Sequence, residues 1–259
     1  MDGLTVYKIS KILKQNIINY SIKTIGVVNN NVQVVFYKHP IYNSLHILLN
    51  PQLVAIYVDN VFNSENNKFK FLNNTCIKDV NCSDFERVIF IDLFKYRSSG
   101  RKIMYKLVFE FFSKYPNFYI LDEEDKIIYM LNNHYLDKSR KIELGEYYVN
   151  VKSNKSKSLR SDNFYDFKKM KGFYSVTALH ALELVNNIGF DKAKENIINS
   201  LENDYFYIDL DDRLIPFEPI DYKKAITFEE LENYYKEKVD KKLLHDQKKK
   251  LLSFFDRQE

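Results

Sequence analysis

The 259-residue sequence predicts an α+β protein: an N-terminal helix, a strand-rich sheet domain, then a smaller helical region ending in a long helix. Three observations carry this. The chain opens with apolar residues at helical spacing. Short apolar runs separated by Asn-, Asp- and Gly-containing turns then extend as far as Met130. Beyond a basic, Ser/Asn-rich stretch from Val151 to Gly172, the apolar spacing becomes helical again.

Taken in order, Val6, Ile9, Leu13 and Ile17 form the stripe of the first helix. IKTIGVV and VQVVFYK, joined across NNN, read as a hairpin with Asn31 expected at positive φ. LHILL, LVAIYV, RVIFIDLF, KIMYKLVFEFF, NFYIL and IIYML follow as strands, which together suggest a sandwich or half-barrel closed by the helix. Further on, SVTALHALELV reads as a helix capped by Ser175 and stopped by Gly189, and Asp191 is placed to cap the next one. YFYIDLDDRLIPFEPI reads as a small hairpin. Thr227 and Glu230 then have the spacing of a capping box, opening a helix expected to run almost to Glu259, either as the start of a coiled coil or lying on a neighbour. No repeat of solenoid period is present.

Composition narrows the function classes. Hydrophobic residues make up 45% and charged residues 29%; there is no Trp, so 20 Tyr and 20 Phe supply the aromatic filling. No apolar run reaches the roughly 18 residues of a membrane span. Lys8, Lys11 and Lys14 are threaded through an amphipathic segment, unlike a secretory signal, so a cytoplasmic location is expected. Cys76 and Cys82 read as reduced, half-buried small residues. The five scattered histidines lack metal-ligand spacing, and no metal or cofactor is expected. His39 and His46 are read as organisers of a loop between strands rather than as acid–base catalysts.

The net charge of +4 is mild, but its distribution is uneven. Between Val151 and Gly172 stand Lys152, Lys155, Lys157, Arg160, Lys168, Lys169 and Lys171 against only Asp162 and Asp166. Two readings remain open for this stretch: a solvated linker, or a phosphate-contacting surface.

Four blocks in order, MDGLT, HPIYNSLHI, FERVIFI and FEFFSKYPNFYIL, resemble the NFACT family, the RqcH- and NEMF-type ribosome quality-control factors whose bacterial members carry the older name fibronectin-binding proteins. His39, Pro40, Tyr42 and His46 match the second block, and Glu110, Lys114 and Asn117 the fourth. GFYSVTALHALEL resembles the family's helix-hairpin-helix module, and PFEPIDYKKAITFEELENYY the passage into its coiled coil. The resemblance implies a glycosylase-like β-sandwich with an N-terminal helix over residues 1–151. A basic linker over 152–171, a helix-hairpin-helix-like region over 172–226 and a coiled-coil stump over 227–259 would follow.

The resemblance also implies a non-enzymatic, RNA-binding role with tRNA, and possible contact with the large ribosomal subunit, as partners. The family's Asp plus Asp-Arg triplet falls on Asp2, Glu86 and Arg87; Lys114, Asn117, Lys155, Lys157, Arg160, Lys168, Lys169 and Lys171 complete the expected RNA-contacting set. Asp2 is equally readable as a plain helix cap, with Arg87 a surface ion-pair partner. Several blocks depart from the pattern. Glu86 replaces Asp, FSKYPN lacks the family's Gly and His, and the basic helix between the second and third blocks is compressed to SENNKFKFLNNTCIKDV. The chain stops where the coiled coil would begin, as a short stand-alone member or as the first half of a longer protein would.

Two alternatives are carried beside this reading. A DNA-repair glycosylase would need an N-terminal proline amine as nucleophile, and Asp2-Gly3 occupies that place. A surface adhesin binding fibronectin would need export.

Overall fold

A computed structural model describes residues 1–60, 68–82, 85–133, 140, 142–151, 154–155, 157, 159 and 166–242. Helix α1 spans Gly3–Ile17, and its predicted stripe of Val6, Ile9, Leu13 and Ile17 is buried. Strands β1 (Ser21–Val28), β2 (Asn31–Lys38), β3 (Ile41–Asn50) and β4 (Leu53–Asp59) form one antiparallel wing. A second wing contains β5 (Cys76–Cys82), β6 (Val88–Tyr96), β7 (Lys102–Glu110), β8 (Asn117–Leu121) and β9 (Ile127–Met130). The hairpin between β1 and β2 turns on Asn29 and Asn30, at φ 48° and 63°, while Asn31 already belongs to β2. The left-handed positions are therefore the two residues just before the predicted Asn31, where a two-residue loop needs them.

The wings join in a single nine-stranded sheet, order β4-β3-β2-β1-β5-β6-β7-β8-β9, rather than in two separate ones. The junction is narrow: β1 and β5 share one register pair, Ser21 with Cys76. α1 packs against β5 and β6, and its apolar stripe shares one core with Val32 and Ile47 of the first wing and Ile91 and Leu107 of the second. β5 was not read from sequence. CIKDVNC buries only Ile77 and Val80, and a bulge interrupts it between Ile77 and Asp79.

The region after the sheet contains α2 (Ser175–Ile188), α3 (Phe190–Ser200) and a three-stranded sheet of β10 (Tyr205–Ile208), β11 (Leu214–Ile215) and β12 (Lys224–Thr227). Tyr174, not Ser175, holds the cap position of α2, where its amide donates to the Thr177 hydroxyl at 3.0 Å. Gly189 ends α2 at φ 83° as predicted and itself takes the cap position of α3, leaving Asp191 in the first turn. Glu230 accepts the Thr227 amide at 2.8 Å, and residues 231–242 are helical; the remainder of the predicted helix lies outside the described residues. No helix among the described residues is long and apolar enough to cross a membrane.

α1 ties the two regions together. Its first turn contributes Leu4 to a second core built from α2, α3 and the segment before them. One turn later Lys8, fully buried, donates to the carbonyls of Ser200 at 2.6 Å and Pro216 at 2.9 Å, to Asn203 Oδ1 at 3.1 Å and to the Tyr205 carbonyl. Burial pulls this ammonium down to about 7, with Asp204 acting the other way. The surrounding oxygens favour the charged form, which has three protons to donate.

A second buried charge pins the turn between β10 and β11. Asp209 is 1% exposed and accepts from the amides of Asp211 and Arg213, from Arg213 Nε at 2.7 Å and from His180 Nε2 at 3.1 Å. Burial pushes its carboxyl upward, but the Arg213 amide, His180 and the Arg213 guanidinium outweigh that and hold it below the usual carboxylate value. A carboxyl depressed in the folded state contributes stability that is complete above its unfolded pKa and is lost as pH falls through the folded one. Thermal melts of wild type are therefore expected to drop steeply below about pH 4. Asp209→Asn should be less stable than wild type at neutral pH and show a shallower acid limb; an unchanged limb would exclude Asp209 as its source.

Candidate nucleic-acid interface

The expected triplet lies where three segments meet: the start of α1, the loop entering β6, and residues 172–174 ahead of α2. Asp2 caps α1 through Oδ1, which accepts the Thr5 amide at 2.8 Å. The Gly172 carbonyl accepts the amides of Gly3 and Leu4 at 3.1 and 3.2 Å, and the Asp2 carbonyl that of Val6. The first-turn amides are thus satisfied within the chain, and this helix start is not an empty anion site. The Asp-Gly pair has a steric reason. A Cβ on Gly3 would stand 1.9 Å from the Phe85 carbonyl oxygen and 2.8 Å from Gly172 Cα. Phe85 is itself left-handed, at φ 60°, which turns the chain so that Glu86 and Arg87 follow directly at the mouth of β6.

Arg87 is stacked. Its guanidinium carbon lies 4.2 Å from the Tyr174 ring centroid and 4.8 Å from that of Phe112, while its carbonyl accepts the Phe111 amide at 2.8 Å. Two rings against the guanidinium leave its edge for hydrogen bonding, and each such contact contributes about 0.5–2 kcal/mol. Arg87 Nε is buried and has no acceptor among the described residues. Lys155 lies 4.9 Å over the same Tyr174 ring and donates to the Phe173 carbonyl. Burial and the neighbouring Arg87 charge both lower the Lys155 ammonium, marking a locally cationic site.

Two carboxylates balance it. Glu86 is 8% exposed. Asp2 is raised, first by burial, against the Thr5 amide and the Thr177 side chain. Tyr174 is raised by burial while Arg87 pulls it down and Glu86 and Asp2 push it up, so one ring senses all three members of the triplet. The arrangement can present one oriented guanidinium to an anionic or acceptor-rich ligand. Among the described residues no group of His, Cys, Asp or Glu is placed to hold a metal ion.

The remaining predicted residues divide. Lys114 is exposed on the turn after Phe112. Lys157, Lys168 and Lys169 are exposed, Lys169 pairing with Asp166 at 3.2 Å, and Lys171 is half-buried with its amide on the Lys157 carbonyl. Arg160 lies outside the described residues. The segment expected as a basic linker is anchored: Leu159, Phe167 and Met170 are buried in the second core with Phe173. At about 1.5–3 kcal/mol for each buried side chain, those anchors fix the described lysines Lys168, Lys169 and Lys171 beside the second core.

Asn117 does not belong to an interface. It is 1% exposed, its amide donates to the Tyr119 hydroxyl and the Asn132 carbonyl, and its oxygen accepts from the amides of Phe118 and Asn132. Its motif neighbour Glu110 is equally internal, accepting from Arg140 at 2.6 Å, Tyr148 at 2.8 Å and Tyr119 at 3.1 Å. His46 engages side chains rather than backbone among the described residues: its Nε2 lies 2.9 Å from Asp59 and its ring stacks on Tyr57. Cys76 and Cys82 are half-buried and share no disulfide, and the Cys82 thiol donates to the Glu86 carbonyl at 3.0 Å. Phe112 and Tyr174 were not anticipated, although both stand inside the quoted blocks.

The family model described as NFACT N-terminal and middle domains matches residues 2–213. The chain belongs to the NFACT family. Solved structures agree in fold. This NFACT chain superposes with a TM-score of 0.75 on the N-terminal part of the fibronectin/fibrinogen-binding protein of Streptococcus suis, at 15% identity over 92% of this chain and 99% of that one. It superposes at 0.72 on the fibrinogen-binding protein of Staphylococcus aureus, at 16% identity over 89% and 96%. The N-terminal domain of the fibronectin-binding protein PavA of Streptococcus pneumoniae gives 0.54, at 17% identity over 92% and 98%. Among curated proteins none matches.

Proposed function

We propose that this NFACT chain is a non-enzymatic RNA-binding module that engages tRNA and the large ribosomal subunit in rescue of stalled ribosomes. The observation that carries the reading is Arg87, held between Phe112 and Tyr174 with a donor unused and with Lys155 beside it. A stacked guanidinium is pre-organised to donate along its edge to a phosphate or a base edge. Lys157, Lys168 and Lys169 extend the cationic surface along the adjoining ribbon.

The test is retention of tRNA at fixed low salt. Removing a charge-assisted hydrogen bond costs about 1.5–3 kcal/mol, so Arg87→Ala should weaken tRNA binding by roughly ten- to a hundredfold, and Arg87→Lys should restore little of it. Unchanged affinity in Arg87→Ala would sink the reading. The names of the similar structures favour a second one, binding of fibronectin or fibrinogen. Retention of those proteins in the same assay, with none of tRNA, would replace the first.

A further inference from the structure

The far end of β6 carries a feature unrelated to the triplet. The hairpin joining β6 to β7 reads KYRSSGRK, with Lys95, Arg97, Arg101 and Lys102 and no acid. Its turn is closed by backbone hydrogen bonds from Arg97 to Arg101 and from Gly100 to Arg97, both 2.9 Å, so the tip is defined rather than loose. Arg101 pairs with Glu123. Among the described residues no carboxylate pairs with Arg97 or Lys102.

Register places aromatic rings among these cations. Phe94 is opposite Met104 and Tyr96 opposite Lys102, so all four share one face of the sheet. That face is turned away from α1, whose core takes the alternate residues Ile91 and Leu93. Tyr96 is 64% exposed, its ring meets Phe94 edge-on at 6.0 Å, and the Lys102 ammonium lies 4.5 Å over Phe94. The Tyr96 ring is thus left open to solvent beside Arg97 and Lys102, two cations with no carboxylate partner among the described residues. The carboxylates nearby are engaged elsewhere: Glu123 pairs with Arg101, Asp125 with Lys106, and Asp79 with Lys14, while Asp92 stands two residues before Phe94 on the side away from the tip.

We propose that this hairpin end is a second nucleic-acid surface, one that takes single-stranded RNA by stacking a base on Tyr96 and meeting the flanking phosphates with Arg97 and Lys102. The charge favours a polyanion, and the ring selects unpaired bases, because a duplex hides its base faces. β6 separates Tyr96 from Arg87 by about 31 Å at roughly 3.4 Å per residue, so the two sites can be lost independently.

The experiment measures fluorescence anisotropy of a labelled short oligouridine at low salt, alongside the same oligonucleotide annealed to oligoadenosine. Tyr96→Ala should weaken the single strand between about fivefold and a hundredfold. Lys102→Ala should flatten the log–log salt dependence by about 0.7. Both substituted hairpin residues are exposed, and an unchanged melting curve verifies the fold. The inference is overturned if oligouridine fails to bind, if Tyr96→Ala binds it like wild type, or if the duplex binds equally well. Should Arg87→Ala bind tRNA normally while Tyr96→Ala loses oligouridine, the reading of the first site fails and this one stands.

Discussion

Replacing Lys8 with methionine is expected to lower stability by roughly 3–5 kcal/mol, the range for removing one partner of a buried charged network. Methionine matches the length and apolar stem of lysine, so packing is largely conserved and the loss isolates the ammonium. Without it, the carbonyls of Ser200, Tyr205 and Pro216 and the amide oxygen of Asn203 lose a shared donor in a site that solvent does not reach. A buried acceptor left unpaired costs about 1–3 kcal/mol. Because those acceptors cluster at the end of α3 and around β10 and β11, amide exchange should rise there before it rises in β6 and β7. Urea unfolding measures the total and hydrogen exchange its location. A midpoint within error of wild type would mean that water replaces the ammonium and that α1 is not tied through it.

Gly3→Ala is the second large effect, and it links stability to the interface. The added methyl would meet backbone, the Phe85 carbonyl at 1.9 Å and Gly172 Cα at 2.8 Å, and neither can rotate aside. Relief requires α1 to move away from Phe85 or the 172–174 segment to move away from α1. Either motion separates members of the candidate site: Asp2 from Arg87 in the first case, Tyr174 from Asp2 in the second. Overpacking of a well-filled site costs about 1–3 kcal/mol and more where backbone must shift, so about 3 kcal/mol is expected. In molecules that still fold, tRNA affinity should fall at least severalfold. Gly100→Ala is the control, since a Cβ there meets nothing within 4 Å and only its φ of 79° is strained. It should cost about 1 kcal/mol and leave the tRNA site intact. Equal effects of the two substitutions on tRNA would refute the steric argument.

Legibility from sequence followed the range of the interaction involved. α1 and eight of the strands declare themselves by local period, and Gly189 and the Thr227–Glu230 pair by local capping chemistry. β5 does not, because CIKDVNC is too polar to alternate cleanly and becomes a strand only between β1 and β6. The basic segment misled for a related reason. Its lysines dominate the composition, while Leu159, Phe167 and Met170 find partners in α2, α3 and α1 that no local window contains.

The amino-acid order by itself determined the α+β class, the entry and exit of most elements, and, through the family blocks, that Asp2, Glu86 and Arg87 belong to one place. Only the tertiary structure decided what those residues face. It stacked Arg87 between rings from two other segments, closed Asn117 into the interior, made Lys8 a joint between regions, and set Tyr96 beside Lys102 across a hairpin. The division has a physical cause. Backbone periodicity and capping act over a few residues and leave a trace in any short window, whereas stacking, burial of charge and close backbone approach depend on which distant segments the folded core brings together.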